Sequence, residues 1–340
     1  MSGPPVLEVR DLSCTVGVAG GPPLLLVDRV SFALSAGRTL GIVGESGSGK
    51  TMLVRALMGI APQAITVSGS VLLNGRDLLS APPARRRRRL GREIAMVFQN
   101  SQTSLNPYVR VGRHLVEGVR THLGLNRTDA EARAVTLLRD VGISDPARCV
   151  ASYPHQLSGG MRQRVAIAAA LAGDPDVLIA DEATTALDVT IQQQILVLLS
   201  EIQTARQMAM IMISHDLGVV NGRTDELAVM YGGQVAEAGR TATVFRQPAH
   251  RYTEALLAAV PSLDRPPHSP FATIGGAPPR PVSEIVGCRF APRCSHATDR
   301  CTADSPDWRE AAGGASRHRC FHPAGEPADS VAHVATGATR

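Results

Sequence analysis

Apolar and polar residues alternate along the first 40 residues of the chain. Apolar positions at residues 6–9 and again at residues 24–30 lie on either side of two glycines and two prolines at residues 20–23. Alternation with a period of two is typical of strands, and a cluster of glycine and proline is typical of a turn. The pattern therefore predicts strands and a turn that form an antiparallel sheet.

A different pattern follows. Residues 40–43 form a short apolar run, which leads into a glycine-rich loop and then into a helical pattern from residue 50 to about residue 60. Two more apolar runs, at residues 177–180 and 208–213, flank a helical pattern around residues 191–202. Strands that alternate with helices are typical of a parallel sheet, so the pattern predicts an α/β core.

The region between these strands has helical periodicity. Apolar residues recur at helical spacing between residues 105 and 150. Examples are Ala130, Ala134, Leu137, Leu138 and Val141. We therefore predict a helical subdomain at about residues 100–165.

The composition changes near the end of the chain. After Pro261 the sequence is rich in proline, glycine and arginine, and it holds four of the six cysteines. A chain of 340 residues is also too long for one compact core. We therefore predict a main domain at residues 1–260 and a small cysteine-containing C-terminal extension at residues 261–340.

Charge and hydropathy argue against several classes of protein. The net charge is only +5, and no aromatic residue interleaves the five arginines at residues 85–89. We therefore expect a solvated face there and no nucleic-acid partner. No apolar run reaches the roughly 18 to 20 residues of a spanning helix, and the first residues lack the pattern of an export signal. The chain is therefore predicted to be neither secreted nor transmembrane by itself.

The only lysine of the chain, Lys50, lies in the glycine-rich loop after the first predicted parallel strand. The loop fits G-x-x-x-x-G-K-[ST] and comprises Gly44, Glu45, Ser46, Gly47, Ser48, Gly49, Lys50 and Thr51. In such a loop, backbone N–H groups surround phosphate oxygens, the lysine reaches the β- and γ-phosphates, and the hydroxyl of Thr51 can bind Mg²⁺. A chain that otherwise uses arginine keeps lysine where a point charge is needed. The motif predicts a nucleotide site.

Two adjacent carboxylates, Asp181 and Glu182, follow the apolar run at residues 177–180. Such a pair is often a solvated strand end. Beside a phosphate loop, at the carboxyl edge of the same sheet, Asp181 would hold Mg²⁺, directly or through water. Glu182 would polarise a water for attack on a phosphate.

A second glycine-containing helix start lies between these motifs, at residues 157–164. One nucleotide on one chain does not explain two anion-binding helix starts. Residues 157–161 of this segment resemble the signature motif of the ATP-binding cassette (ABC) ATPases of transporters. In the order of that family, Gln99 resembles the Q-loop glutamine, residues 186–188 the D-loop and His215 the switch histidine. The resemblance spans roughly residues 5–260.

Further segments resemble one branch of that family, the ATPase subunits of oligopeptide, dipeptide and nickel importers. They are residues 103–107, 153–156 and 250–257, and the branch also has a cysteine-containing C-terminal segment. Two residues depart from the family pattern. Val16 stands where an aromatic residue usually stacks on adenine, which predicts weaker ATP binding than in a Val16→Tyr variant. Ala183 replaces the proline that usually follows the catalytic glutamate.

The resemblance implies a P-loop ABC ATPase fold, that is, an α/β protein with a parallel-sheet core, an antiparallel β subdomain and a helical subdomain. It also implies two cassettes, copies or paralogues, that pair head to tail. Each ATP would lie between the Lys50 loop of one chain and the signature motif of the other. The nucleotide-contacting residues carried over from the signature motif and the D-loop are Ser158, Gly159, Gly160 and Asp188.

The resemblance further implies the chemistry and the partners. Glu182 would be the general base, His215 would contact the γ-phosphate, and Gln99 would sense Mg²⁺ and the γ-phosphate. Hydrolysis would drive the import of peptides through two transmembrane permease subunits. An extracytoplasmic peptide-binding protein would deliver the peptides to these permeases. The chain would therefore lie at the cytoplasmic face of the cell membrane.

Four cysteines cluster in the predicted extension. Cys288, Cys294, Cys301 and Cys320 have the spacing C-x5-C-x6-C-x18-C, which differs from zinc-finger and bacterial ferredoxin patterns. Spacing alone therefore leaves a [4Fe–4S] cluster, a zinc site and unbound thiols open. The resemblance to the importer branch favours a [4Fe–4S] cluster.

Two other functions are alternatives. One is a soluble ABC ATPase that acts on ribosomes, DNA or iron–sulfur assembly, although such proteins usually carry two cassettes or lack this C-terminal element. The other is a metal-sensing regulator with a vestigial ATPase. The intact Lys50, Glu182 and His215 argue against the second alternative.

Overall fold

The computed structural model describes residues 4–99, 104–183, 188–260, 273–311 and 313–325. The strands are β1 (Leu7–Val18), β2 (Gly21–Leu34), β3 (Thr39–Val43), β4 (Ile65–Leu73), β5 (Arg76–Asp77), β6 (Ile94–Val97), β7 (Val177–Asp181), β8 (Ala209–Ser214), β9 (Glu226–Tyr231), β10 (Gln234–Arg240), β11 (Arg309–Glu310) and β12 (Ser316–His318). The α-helices are α1 (Lys50–Leu57), α2 (Pro83–Arg89), α3 (Val111–Leu123), α4 (Arg127–Asp140), α5 (Pro146–Ala151), α6 (Gly159–Ala170), α7 (Val189–Arg206), α8 (Leu217–Val220), α9 (Thr241–Arg246), α10 (Arg251–Ala258) and α11 (Asp299–Ala303). Three predicted motif residues, Thr103, Ala186 and Leu187, lie outside the described residues.

The N-terminal strands form the antiparallel sheet that the alternating pattern predicts. Its strand order is β2-β1-β4-β5, and β1 pairs with both β2 and β4. The chain reverses between β1 and β2 at Gly20, whose φ of 75° is easily reached only by glycine. One face of this sheet is buried, with Leu7, Leu12 and Val27 fully shielded from solvent.

The second sheet carries the α/β core and has the strand order β11-β12-β10-β9-β3-β8-β7-β6. The strands from β9 to β6 in that order are parallel, and this confirms the parallel core predicted from β3, β7 and β8. The pattern missed β6, a run of only four apolar residues, and β9, an apolar run that ends at the glycine pair Gly232 and Gly233. Because parallel strands place their carboxyl ends at one edge, residues that follow β3, β6, β7 and β8 are brought together there.

The predicted helical subdomain is present as α3, α4 and α5. These helices pack through fully buried apolar residues such as Leu115, Val119 and Leu137. The α4 helix begins where the Asn126 side chain accepts a hydrogen bond from the Asp129 N–H, which satisfies one of the free donors of a helix start.

The described part of the extension adds two strands to the main sheet, because β12 pairs antiparallel with β10 and β11 pairs with β12. Residues 288–320 hold few apolar residues of their own, so the edge of the main sheet supplies hydrogen-bond partners and a surface to pack on. Among the described residues, no helix combines the length and the apolar character that crossing a membrane requires.

The arginine run differs in part from the prediction of a solvated face. Arg85, Arg87 and Arg88 are exposed, but Arg89 is only 7% exposed. Its guanidinium donates to the backbone oxygen of Leu73 at 2.7 Å and pairs with Glu93 at 2.9 Å. The prediction is therefore wrong for Arg89, which ties α2 to the antiparallel sheet.

Candidate active site

The phosphate loop, residues 44–51, connects β3 to α1. Gly47 and Gly49 have φ angles of 80° and 100°, in the region that glycine reaches without steric cost. A Cβ atom on Gly49 would also lie 2.8 Å from the backbone oxygen of Leu26. Glycine is therefore required at residue 49 for both its backbone angle and its lack of a side chain.

Lys50 is buried within this loop, with 5% of its surface exposed. Its Nζ donates to the backbone oxygens of Gly44 at 2.7 Å and Glu45 at 3.0 Å. Burial lowers the pKa of Lys50, and the nearby carboxylates of Glu182, Asp181 and Glu45 oppose that shift. The loop therefore holds the ammonium group at a fixed point beside the carboxyl edge of the sheet.

Asp181 ends β7 and is 3% exposed. Burial, followed by repulsion from Glu182, raises the pKa of Asp181 to about 6, although Lys50 and Arg55 oppose the shift. Its Oδ1 has no hydrogen-bond partner among the described residues. A buried carboxylate oxygen without a partner is costly, and a hard divalent cation would satisfy it. This carboxylate therefore fits the predicted Mg²⁺ ligand.

Three predicted catalytic residues, Gln99, Glu182 and His215, meet at Glu182, the residue that follows Asp181. The Nε2 of Gln99 donates to the Oε2 of Glu182 at 2.6 Å, and the Nδ1 of His215 lies 3.2 Å from the Oε1 of Glu182. Glu182 has a φ of 44°, which is rare for a residue with a side chain, and its N–H donates to the backbone oxygen of Ile213 at 3.1 Å. Both carboxylate oxygens are thus held by side chains that follow neighbouring strands.

A cavity of about 600 Å³ joins the phosphate loop to this cluster. The predicted site residues that line it are Ser46, Gly47, Gly49, Lys50, Thr51, Gln99, Glu182 and His215. A volume of this size is typical of a pocket for a nucleotide-sized ligand. The structure therefore brings the predicted phosphate-binding and hydrolytic residues of one chain to one cavity.

The signature motif and Asp188 lie elsewhere. None of Ser158, Gly159, Gly160 and Asp188 is among the described residues that line this cavity. Ser158 and Asp188 cap helices, since their side chains accept hydrogen bonds from the Met161 N–H at 3.3 Å and the Ile191 N–H at 2.9 Å. Both capping residues are exposed. One chain therefore forms only part of the predicted site.

The sequence analysis missed a direct link between the extension and the phosphate loop. The guanidinium of Arg293 donates to both carboxylate oxygens of Glu45, at 2.6 and 3.0 Å, and the side chains are 5% and 23% exposed. The Glu45 N–H also donates to the buried Tyr252 hydroxyl at 2.9 Å. The signal in the sequence was Glu45 itself, an acid inside a loop that binds anions and so in need of a cation.

We expect that Arg293→Gln lowers the melting temperature by about 6 °C. Removing one partner of a buried ion pair costs about 3 kcal/mol, and each kcal/mol shifts the melting temperature of a domain this size by about 2 °C. Glu45→Gln is expected to have a similar effect, and the double variant no more than either single one. Calorimetry of the purified chain measures these shifts.

The matched control is Arg300→Gln in the same extension. Arg300 and Asp304 are 3.8 Å apart and mostly exposed, so this change is expected to leave the melting temperature within about 1 °C. Additive losses in the Arg293 and Glu45 variants would show that the two side chains do not act as a pair.

Val16 stands at the position where the family resemblance predicts contact with adenine. Val16 is half-buried and pairs with Leu24 and Ile65 in the antiparallel sheet. It is not among the described residues that line the cavity, whereas Leu25 and Leu26 are. The structure therefore gives no support to a stacking contact from a residue at position 16.

The four clustered cysteines do not line the nucleotide cavity. Cys288, Cys294, Cys301 and Cys320 line one small cavity of about 10 Å³, together with His250, His296 and His322. That volume is close to the space of one water molecule. Among the described residues, no group of three or more His, Cys, Asp or Glu side chains is arranged to hold a metal ion. The structure thus brings the predicted thiols together without arranging them as ligands.

Two family models match the chain. Residues 27–185 match the ABC transporter family, and residues 236–301 match the C-terminal region of oligopeptide/dipeptide transporters. The first match spans the phosphate loop, Gln99, the signature motif and Glu182. The second contains Arg289, Arg293 and three of the clustered cysteines.

Full-length relatives give the same result. The chain is 44% identical over 326 residues to the dipeptide transport ATP-binding protein DppD of Escherichia coli, covering 95% of this chain and 99% of that one. It is 44% identical over 321 residues to the oligopeptide transport ATP-binding protein OppD of Salmonella typhimurium, covering 94% and 95%. Among solved structures, cbiO1 of Clostridium perfringens, part of the ABC transporter complex cbiONQ, superposes with a TM-score of 0.60 at 27% identity, covering 72% of this chain and 92% of that one.

Proposed function

The chain belongs to the ATP-binding proteins of the oligopeptide and dipeptide ABC transporters, and we propose that it hydrolyses ATP to drive the import of peptides through partner permeases. The convergence of Lys50, Gln99, Glu182 and His215 on one cavity carries the ATPase part of the proposal. The two relatives, named for dipeptide and oligopeptide transport, support the peptide part.

In hydrolysis, the phosphate loop and Lys50 hold the β- and γ-phosphates, which fixes the γ-phosphorus beside the Glu182 cluster. Glu182 accepts a proton from the attacking water as the new oxygen–phosphorus bond forms, and the bond to the leaving ADP oxygen breaks. His215 contacts the γ-phosphate and orients the water. Gln99 senses whether the γ-phosphate is present. Most of the rate comes from positioning and electrostatic stabilisation.

We propose that Thr51, Asp181 and Gln99 hold Mg²⁺ with the nucleotide. The unpartnered Oδ1 of Asp181 supports this, because a buried carboxylate oxygen beside a phosphate site needs a cation. When bound, the ion neutralises charge on the phosphate oxygens during transfer.

We propose that a second ATPase subunit, a copy or a paralogue, completes each site. Ser158 at the start of α6 and Asp188 at the start of α7 are exposed, Gly159 and Gly160 are half-buried, and all four lie off the cavity of their own chain. A helix start with free N–H groups can bind phosphate oxygens of an ATP held by the partner chain. Closure on ATP and reopening after hydrolysis would then move the attached permeases.

The remaining assignments are proposals of the same kind. We place the nucleotide-binding domain at residues 1–260 and the importer-type extension at residues 261–340. The partners would be two transmembrane permeases and an extracytoplasmic peptide-binding protein, which locates the chain at the cytoplasmic face of the membrane. The alternative of a soluble ATPase for ribosomes, DNA or iron–sulfur assembly finds no support in relatives that are named for transport.

Co-purification tests this assignment. An affinity-tagged chain extracted from its own membranes in mild detergent is expected to retain two permease subunits and one further ATPase subunit or copy. Treating the membranes with high salt is the control, since a loosely adsorbed protein would leave them. Recovery of ribosomes, DNA or assembly factors in place of permeases would overturn the transport function in favour of the alternative.

We also propose that Cys288, Cys294, Cys301 and Cys320 hold a [4Fe–4S] cluster, with zinc as the alternative. The convergence of the four thiols on one cavity supports a shared ligand. The small core of the extension supports it too, because metal ligation often stabilises short segments with few apolar residues. The cluster would have a structural or redox-sensing role away from hydrolysis.

Protein purified without oxygen is then expected to be brown, with broad absorption near about 400 nm and about four iron atoms per chain. Cys301→Ser is expected to lose the colour, to destabilise the C-terminal extension and to leave a cassette that still hydrolyses ATP. Cys14→Ser is the matched control, because Cys14 is buried in the antiparallel sheet and is expected to leave the colour unchanged. A content of one zinc per chain would show that the cysteines form a zinc site and not a cluster. A metal-free protein would show that the four thiols are unbound.

A further inference from the structure

The extension places a half-buried cation, Arg289, at the wall of the nucleotide cavity. Arg289 lines the same cavity as Lys50 and Glu182. The Nε and Nη2 atoms of Arg289 are shielded from solvent and have no hydrogen-bond partner among the described residues. Native proteins rarely leave buried donors of a charged group unpaired, because the loss of hydration is not compensated.

The carboxylate that acts on Arg289, that of Asp28, forms its hydrogen bonds with other residues. Burial lowers the pKa of the Arg289 guanidinium, and the Asp28 carboxylate offsets the shift only in part. Asp28 instead accepts hydrogen bonds from Gln234 at 2.7 Å and from Arg29 at 3.3 Å. Arg289, which lines the cavity, is therefore left without a protein partner for these two donors among the described residues.

The surrounding contacts fix Arg289 in this position. The Leu25 N–H donates to the Val282 backbone oxygen at 2.8 Å, so the segment before Arg289 runs beside β2. The next residue, Phe290, packs against both Tyr231 and Tyr252, with ring centroids 5.3 and 5.4 Å away. Together with the Arg293 ion pair to Glu45, these contacts hold the segment against the site on both sides of Arg289.

The rest of the cavity wall shows which part of a nucleotide lies there. Glu182 and His215 lie where the γ-phosphate is proposed to bind. Lys50 and Gly47 belong to the loop proposed to hold the β- and γ-phosphates. Gly232 and Pro279 lie beside Arg289, since a Cβ atom on Gly232 would come within 2.8 Å of Arg289 and 3.0 Å of Pro279. Apart from Met52 and Arg55, the other remaining lining residues are Leu25, Leu26, Gly233 and Pro281, which are apolar or lack a side chain. A mostly apolar slot of this kind, beside the phosphate loop, suits a nucleobase.

The slot lacks the usual aromatic platform. No Phe, Tyr or Trp is among the described residues that line the cavity. A guanidinium is planar and cationic, so it can stack on the face of a base and donate hydrogen bonds to base or ribose oxygen and nitrogen atoms.

We propose that Arg289 binds the adenine and ribose half of ATP, so that the C-terminal extension forms part of the nucleotide site of its own chain. The proposal rests on the ATPase function proposed above. It gives the extension a direct role in nucleotide recognition, in addition to any role of its cysteines.

Equilibrium binding of two ligands, ATP and inorganic tripolyphosphate, tests the proposal. Arg289→Ala is expected to raise the dissociation constant of ATP about tenfold, which corresponds to one lost cation–π contact. Tripolyphosphate has no base or ribose, so its dissociation constant is expected to stay unchanged. Unchanged tripolyphosphate binding also shows that the variant keeps a folded phosphate loop.

Arg280→Ala is the matched control. Arg280 lies in the same segment, between the two prolines of the slot, but it is exposed and does not line the cavity. It is expected to bind ATP as the wild type does. Unchanged ATP binding in Arg289→Ala would overturn the proposal, and an equal loss for both ligands would place Arg289 at the phosphates and overturn the base assignment. A wild-type chain that bound neither ligand would instead contradict the proposed ATPase function.

Discussion

The Glu182→Gln variant is expected to hydrolyse ATP about 10²- to 10⁴-fold more slowly than the wild type in the assembled complex, while it still binds ATP. The amide keeps the size of the side chain and can still contact Gln99 and His215, which lie 2.6 and 3.2 Å from the carboxylate oxygens. It cannot accept a proton from the attacking water. The change therefore removes the base and leaves the phosphate loop intact.

Phosphate release and ATP binding, measured on the same preparation, separate these effects. The matched control is Glu201→Gln, an exposed acid on α7 away from the cavity, which is expected to leave turnover unchanged. Full turnover in Glu182→Gln would remove Glu182 from the role of general base. Loss of binding together with turnover would mean that the carboxylate is needed for the shape of the site.

Lys50→Ala is expected to weaken ATP binding by about 100-fold or more and to abolish turnover, since a phosphate charge loses a charge-assisted hydrogen bond in a buried site. Lys50→Arg is not expected to restore binding. The ammonium group lies 2.7, 3.0 and 3.4 Å from three oxygens of the loop and is 5% exposed. The broader planar guanidinium does not fit this space.

Arg88→Ala is the matched control, because it removes an exposed positive charge outside the site. It is expected to leave the dissociation constant of ATP unchanged. Wild-type affinity in Lys50→Arg would contradict the argument that the only lysine of the chain is kept for its point charge.

Local patterns were enough to predict the phosphate-binding half of the site. The loop around Lys50 and the acids at the end of β7 each follow an apolar run, and parallel strands place such residues at one edge. The same rule explains why Gln99 and His215 meet Glu182, although it did not find β6, a strand of only four residues.

The contacts of the extension could not be predicted in this way. The Arg293 to Glu45 pair joins residues 248 positions apart, and Arg289 reaches the cavity only because β12 and the Val282 bridge dock the extension on the two sheets. No local periodicity encodes such contacts. An acid inside the phosphate loop was the only sign of a missing partner. The clustered cysteines were predicted as a group, but their spacing does not determine a ligand geometry.

Coupled measurements on a reconstituted complex test the central claim most directly. The chain, its permeases and its second ATPase subunit are placed in vesicles with the peptide-binding protein, and labelled peptide transport is followed together with phosphate release. The account predicts that ATP drives peptide across the membrane from the side of the binding protein, and that Glu182→Gln stops both transport and phosphate release. Peptide transport that continues in the Glu182→Gln complex, or ATP hydrolysis that never moves peptide, would contradict it.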